Sequence, residues 1–485
     1  MGEIGFLSRS AMAEPRDEMS GFSEDLAMGR MIRAALTLSG ATPSQSSVDP
    51  YGQSIAAMNH SAINMRRQLA VPFFTSFLET MGSRLIHFES KKLWTDFDTF
   101  FTDSGEPVEN HDLNSVAKAF VVYMSVATGA LLSQESSGLQ GLAGGLHQKA
   151  TKLLPRIMAS GNRIDILHCM LSLVLYSMQS PQGGSTWHLI GLAMKKAIVF
   201  RFHHDPHSSI NTPEHTLLMR RNTFWSLYIV DRTISTILDR PFNIADDEIT
   251  VQGPEEYLDD SPHTKNNLAR QSIAHARLMS EIRDGASNDI LYHHSNLCCW
   301  RDSVRGMKGE TFASKFTRGV VMQLSSRAMV EILKSVDSAN FESNMINKPQ
   351  TIERDIVTTC SEYIEHEYQR FDCGEFTGGF VEAYDIFAAA VVILCLARRS
   401  NPSFADMDTI NKCTALLTMV GERFVGLRVF RRVVWALSDA VSGNPKSDPI
   451  IHELPPMIPD GIRDFITETY AYDETLAWLT RRKWR

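Results

Sequence analysis

Three histidines crowd one short stretch, His203-His204-Asp205-Pro206-His207, and imidazoles with a carboxylate are the usual ligands of a zinc or iron site. Neighbouring residues on a regular element point apart, so convergence there needs irregular backbone and ligands from a distant segment. His293-His294 is the only other histidine pair available. On this reading the chain is a helical metal-dependent hydrolase. The competing reading is a polar helix end, where histidines sit well against the C-terminal dipole. Asp246-Asp247-Glu248 divides in the same way: three acids attract a hard cation, yet the calcium-loop spacing with its central glycine and distant glutamate is absent. A solvated acidic turn, or one opposite Arg232 or Arg240, fits better.

Other chemistries find no residues to carry them. The sequence has no Gly-x-Ser-x-Gly elbow, no glycine-rich phosphate loop ending in Lys-Ser or Lys-Thr, and no His-Glu-x-x-His pair. Gly141-Leu142-Ala143-Gly144-Gly145 lacks the preceding strand that dinucleotide binding requires and reads as close helix packing. The seven cysteines, at 169, 298, 299, 360, 373, 395 and 413, are odd in number and scattered, as free thiols of a reducing compartment are. A zinc cluster needs paired Cys-x-x-Cys ligands, and none occurs in these residues. The expectation is therefore no catalytic residue, no metal and no cofactor.

The elements that hold these residues read as helices. Apolar residues recur at three- and four-residue spacing in Val71, Phe74, Phe77, Leu78 and Met81, then in Val116, Phe120, Tyr123, Met124 and Ala127. A buried helix spans Arg163–Gln179 and stops at Pro181, Gly183 and Gly184; Ser185 caps the next. Thr212-Pro213-Glu214 opens a long helix running to about Leu238. A loop with prolines at 241, 254 and 262 follows, and helical pattern resumes over 265–300, 313–335, 350–370, 377–399, 404–424 and 427–441. The fold class is all-α, a large multi-helix array. Residues 1–60 form a loosely ordered lead-in, 61–300 a core, and 301–485 a helical continuation of the same domain.

Bulk composition excludes whole classes. Of 485 residues 43% are hydrophobic and 21% charged, as in a folded protein rather than a disordered one. A net charge of −8 disfavours nucleic-acid binding by bulk electrostatics. The concentrated basic run, Arg481-Arg482-Lys483-Trp484-Arg485, is a nuclear-import or phosphate patch on one reading and a solvated terminal face on the other. The longest apolar stretches, 120–132 and 386–397, fall short of the roughly 18 residues that cross a bilayer, so no membrane is expected. The start lacks a signal peptide, and the sequon at Asn59 therefore reads as unused.

Arg220-Arg221-Asn222-Thr223-Phe224-Trp225-Ser226-Leu227-Tyr228-Ile229-Val230-Asp231-Arg232, with Asp239-Arg240-Pro241 and the segment 244–251 after it, resembles the signature of the fungal-specific transcription factor domain. Trp187 and its helix, ending at His203 and His204, resemble the tryptophan-containing helix of that family. The likeness covers roughly residues 70–300, and more loosely 421–443. Asp239 stands where the family pattern has glycine. The resemblance implies a nuclear transcription regulator specific to one pathway, such as a secondary-metabolite gene cluster. Without the cysteine-rich reader in these residues, DNA would be contacted indirectly, through a homodimer or a complete zinc-cluster factor. It further implies a small-molecule effector in a cavity lined by methionine and aromatic residues, for which 22 methionines are available, ordinary core filling being the alternative use for them. A DNA-free protein that modulates complete zinc-cluster factors is the neighbouring reading. Trp187, Arg221, Phe224, Trp225, Tyr228, Asp231, Arg232, Arg240 and Pro241 then form a packing centre, with Asp231 and Arg232 expected to fix their helix to the Arg240-Pro241 corner.

Overall fold

Asn162 begins the most apolar stretch of the first half by accepting a hydrogen bond from the Ile164 N–H at 3.2 Å and donating to the Asp165 carboxylate at 2.7 Å. One of the orphan N–H groups at the helix start is thereby engaged, and the second bond fixes the capping side chain. The helix so capped, Arg163–Gln179, ends where the sequence stops it. A computed structural model describes residues 65–82, 84–102, 113–133, 136–160, 162–206, 212–257, 266–284, 290–305, 315–334, 350–400, 404–441, 454, 458–464 and 466–467. The expected lead-in over 1–60, the sequon, His207 and the terminal basic run lie outside them. Among the described residues 81% are helical and none forms a strand, so the fold is all-α.

The helices in chain order are α1 (Arg67–Thr80), α2 (Ser90–Phe100), α3 (Leu113–Leu131), α4 (Ser136–Thr151), α5 (Leu154–Ser160), α6 (Arg163–Gln179), α7 (Thr186–Val199) and α8 (Glu214–Ile237). A 3-10 turn at Asp246–Glu248 and the short α9 (Pro254–Tyr257) interrupt the loop, and α10 (Asn266–Arg283), α11 (Ile290–Arg305), α12 (Lys315–Lys334), α13 (Gln350–Asp372), α14 (Phe380–Ser400), α15 (Phe404–Arg423) and α16 (Arg428–Val441) complete the series. The pattern expected over 265–300 is thus two helices. Asp284, whose N–H still reaches the Ser280 carbonyl at 2.8 Å, precedes Gly285, and an Asp-Gly pair favours a break over continued helix.

Two compact units share these helices. One comprises residues up to Asp231 with 242–260 and 268–270; the other takes 232–241, 261–267 and everything from Gln271. The division falls inside α8. In the first unit α3 is central, packed by α1, α4 and α6. Gly129 makes one of these approaches close: a Cβ there would lie 1.8 Å from the Phe73 carbonyl oxygen, so only glycine lets α1 and α3 meet at that point. Phe74 stacks on Phe97 at 4.4 Å between ring centroids, which seats α2.

In the second unit α14 is central, with Ile386, Phe387, Val391 and Ile393 fully buried. Its 18-residue window Phe380–Ala397 is apolar enough by length and composition to cross a membrane, yet 83% of that window is buried within the protein. The sequence expected only the shorter stretch 386–397. The longer window admits Glu382 and Asp385, and Asp385 is engaged by Arg327 Nε and Nη2 at 2.9 and 2.6 Å and by Gln323 Nε2 at 2.7 Å. A buried acid with three donors belongs to a protein core.

Candidate functional site

Aromatic and polar side chains of α8 fasten irregular chain that follows it and precedes it in sequence. Phe224 and Trp225 are buried on neighbouring flanks, their rings 5.5 Å apart. The Trp225 indole donates to the Gln252 carbonyl at 3.0 Å, and the Tyr228 hydroxyl to Asp246 Oδ1 at 3.0 Å. Arg221 presents both arms of its fork to Asp205, each at 2.9 Å, while the Gln252 N–H donates to the same carboxylate at 3.1 Å. Asp231 accepts from Asn243, from the side-chain amide at 2.6 Å and the backbone N–H at 3.2 Å. Polar positions at three- and four-residue spacing on one helix thus hold segments 205 and 243–252.

Asp231 and Arg232 were expected to hold the Arg240-Pro241 corner. Asp231 holds Asn243, two residues past that corner, and Arg232 is buried with its Nε donating to Ser280 Oγ at 2.7 Å. At the corner, backbone bonds are joined by Arg283, whose Nη1 and Nη2 donate to the Ser235 and Arg240 carbonyls at 2.7 and 3.2 Å. Arg240 N–H reaches the Ser235 carbonyl at 2.8 Å and Asp239 N–H the Thr236 carbonyl at 3.1 Å, the paired bonds of a left-handed helix end. Asp239 takes φ +50° to make them. Its carboxylate binds Lys334 Nζ at 2.5 Å and the Gly461 N–H at 2.7 Å. Pro241 is exposed. Trp187 is half-buried, its ring edge-on to His188 at 5.0 Å. Ser185, expected as an N-cap, does precede α7, but its hydroxyl hydrogen-bonds His188 Nδ1 at 2.7 Å instead of a backbone N–H.

The histidine run serves the same fastening. The His203 carbonyl accepts from the N–H groups of Thr250 and Val251, both at 2.9 Å, and His204 Nδ1 lies 2.6 Å from Thr250 Oγ1. With Asp205 committed to Arg221, the described part of the run has no shared focus for an ion. Asp246 is held by Tyr228, and Asp247 and Glu248 are exposed. Among the described residues the one group of three metal-binding side chains within reach of an ion lies elsewhere, at His294, Cys298 and Asp355. Their signal in the sequence was the four-residue step from His294 to Cys298, which puts both on one helix face.

Within the first unit a cavity of about 320 Å³ opens beside α8. His87, Lys92, Asp96, Lys118, Asp165 and His168 line it, together with Phe88 and Met219. Aliphatic side chains, Leu93, Val121 and Ile164 among them, complete the lining. Lys118 pairs with Asp96 at 3.4 Å, and His168 Nε2 meets Thr223 Oγ1 at 2.9 Å. Burial, then the neighbouring Lys92, hold His168 down to about 4. His87 is pushed well below the ordinary range by burial and then by His168. Both imidazoles are neutral at pH 7. No periodic signal announced this cavity, because its residues come from four separate segments.

Residues 82–318, just under half of the chain, match the family model described as the fungal specific transcription factor domain. Among its relatives, pyrimidine pathway regulatory protein 1 of Saccharomyces cerevisiae is 31% identical over 120 residues, 25% of this chain and 13% of that protein. The negative regulator of pleiotropic drug resistance STB5 of Candida glabrata is 29% identical over 151 residues, 29% of this chain and 14% of the relative. A Zn(2)-C6 fungal-type transcription factor, FTF1c of Fusarium oxysporum, is 31% identical over 105 residues, 20% of this chain and 11% of the relative. The matches thus span about a seventh or less of these curated relatives.

Proposed function

We propose that this chain is the regulatory part of a nuclear transcription regulator of the fungal zinc-cluster type, devoted to one pathway such as a secondary-metabolite gene cluster. It is not an enzyme. The family match over α2 to the start of α12, with relatives named as regulators and transcription factors, carries the reading. The net charge of −8 supports a division of labour in which this chain acts through a partner and DNA is read by the zinc cluster of a complete factor. Residues 65–467, tethered to an unrelated DNA-binding domain, should change expression of a matching reporter several-fold. The same residues alone should give no sequence-specific mobility shift. A folded fusion without effect on the reporter, or specific DNA binding by the untethered chain, would overturn this reading.

The cavity beside α8 favours a second element, a small-molecule effector. Its size suits a metabolite, and Lys92 and Lys118 with two neutral imidazoles suit a ligand carrying both an acidic group and hydrogen-bonding atoms. A metabolite library screened by thermal shift should yield a carboxylate or phosphate compound that stabilises the wild type and not Lys92→Ala. Equal stabilisation of both proteins would place the ligand elsewhere.

A further inference from the structure

His294 and Cys298 stand one turn apart on α11, so their side chains leave the same face. Asp355 of α13 meets them there. His294 Nε2 is 2.9 Å from Asp355 Oδ2, and Cys298 Sγ is 3.9 and 4.0 Å from the two imidazole nitrogens. One ligand atom from each residue falls within 4.8 Å of the others. All three residues are half-buried and belong to one compact unit.

We infer that His294, Cys298 and Asp355 form a binding site for a divalent transition-metal ion of the zinc type. Bonds of about 2.0 Å to nitrogen or oxygen and about 2.3 Å to sulfur put tetrahedral ligand atoms roughly 3.3 to 3.6 Å apart. The separations, from 2.9 Å to at most 4.8 Å, span that range, so side-chain rotation without backbone movement closes the shell. One nitrogen, one sulfur and one oxygen match zinc or cobalt. Calcium and magnesium, which take oxygen shells, are excluded by the same set. Partial exposure leaves the fourth position to water.

Arg301 explains how the site is held before an ion arrives. Its Nη1 lies 3.3 Å from the same Asp355 oxygen that faces His294, so the guanidinium aims the carboxylate and stands in for part of the missing positive charge. Binding then displaces waters from the hydrated ion, transfers the Cys298 thiol proton to solvent and leaves a metal–thiolate bond, one proton released per ion. The ion would clip α11 to α13. This site is independent of DNA reading and of the cavity beside α8.

Reduced, metal-free full-length chain titrated with cobalt(II) tests the site. The expected result is one ion per chain, with the visible bands of four-coordinate cobalt and a near-ultraviolet thiolate-to-cobalt band, both bleached by zinc. Cys298→Ser should abolish the thiolate band. His294→Asn and Asp355→Asn should each weaken binding at least tenfold, and Cys299→Ser should change nothing. Circular dichroism checks that each variant is folded. Absence of the thiolate band from folded wild type, or a band that survives Cys298→Ser and vanishes in Cys299→Ser, overturns the assignment.

Discussion

Asp239 shows two demands meeting on one side chain. A left-handed residue at a helix end costs a non-glycine roughly 1 kcal/mol, and Asp239 sits there at φ +50°. Its carboxylate repays that strain by holding Lys334 and the Gly461 N–H, while Glu331 takes the other side of the ammonium at 2.8 Å. Asp239→Gly, although better suited to the backbone, should therefore lower stability by about 2 kcal/mol in denaturant unfolding, because a buried ammonium loses a carboxylate. A variant as stable as the wild type would show the ion cluster to be idle. The sequence exposed Asp239 as a departure from the family glycine; its partners, 95 and 222 residues away, were out of sight because nothing local encodes them.

His87 poses the opposite case. Both its ring nitrogens are buried with no hydrogen-bond partner, and its ring lies 3.7 Å from that of Phe88. An apolar ring of similar size should serve better, so His87→Phe is expected to stabilise the protein by about 1 kcal/mol. The gain should grow on acidification. With the folded value below the unfolded one of about 6.5, the unfolded chain takes up a proton that the folded chain refuses, and stability is lost as pH falls through that window. His168 and His147, both held near 4 chiefly by burial, add to the same loss. Asp165, raised by burial, works in the other sense. Comparing His87→Phe with wild type between pH 7 and 5 isolates the one imidazole; parallel stability curves would refute its role.

At the level of elements, α8 was the most legible piece of the chain. Its start, its end and its buried aromatics follow from spacing and from the prolines at 213 and 241. What it grips did not follow, since Asn243 and Gln252 look like ordinary loop residues and Asp205 and Asp246 drew notice as possible metal ligands, not as partners of α8. The histidine run misled for a related reason: residue type signals metal chemistry, while local backbone decides whether imidazoles converge. Arg221→Lys tests the grip. Replacing a two-armed fork on Asp205 by a point charge should cost about 1 kcal/mol and raise amide exchange of Gln252, whose N–H shares that carboxylate. Unchanged exchange at Gln252 would mean the segment is held by other bonds alone.

For the molecule as a whole, helical periodicity made the all-α class readable, and the break in the pattern expected over 265–300 was the main local surprise. The division into units was not readable, because they are not consecutive stretches of chain: residues 232–241 belong to one while both flanks belong to the other. That arrangement bears on descent. The family match ends at residue 318, inside α12, and a recombination event there would bring in foreign chain in place of Glu331 and Lys334 while keeping Asp239. Crossovers anywhere between residues 232 and 334 split partners in the same way. Lineages carrying this protein should therefore diverge by point substitution across the whole helical block, with viable gene fusions joined only outside it.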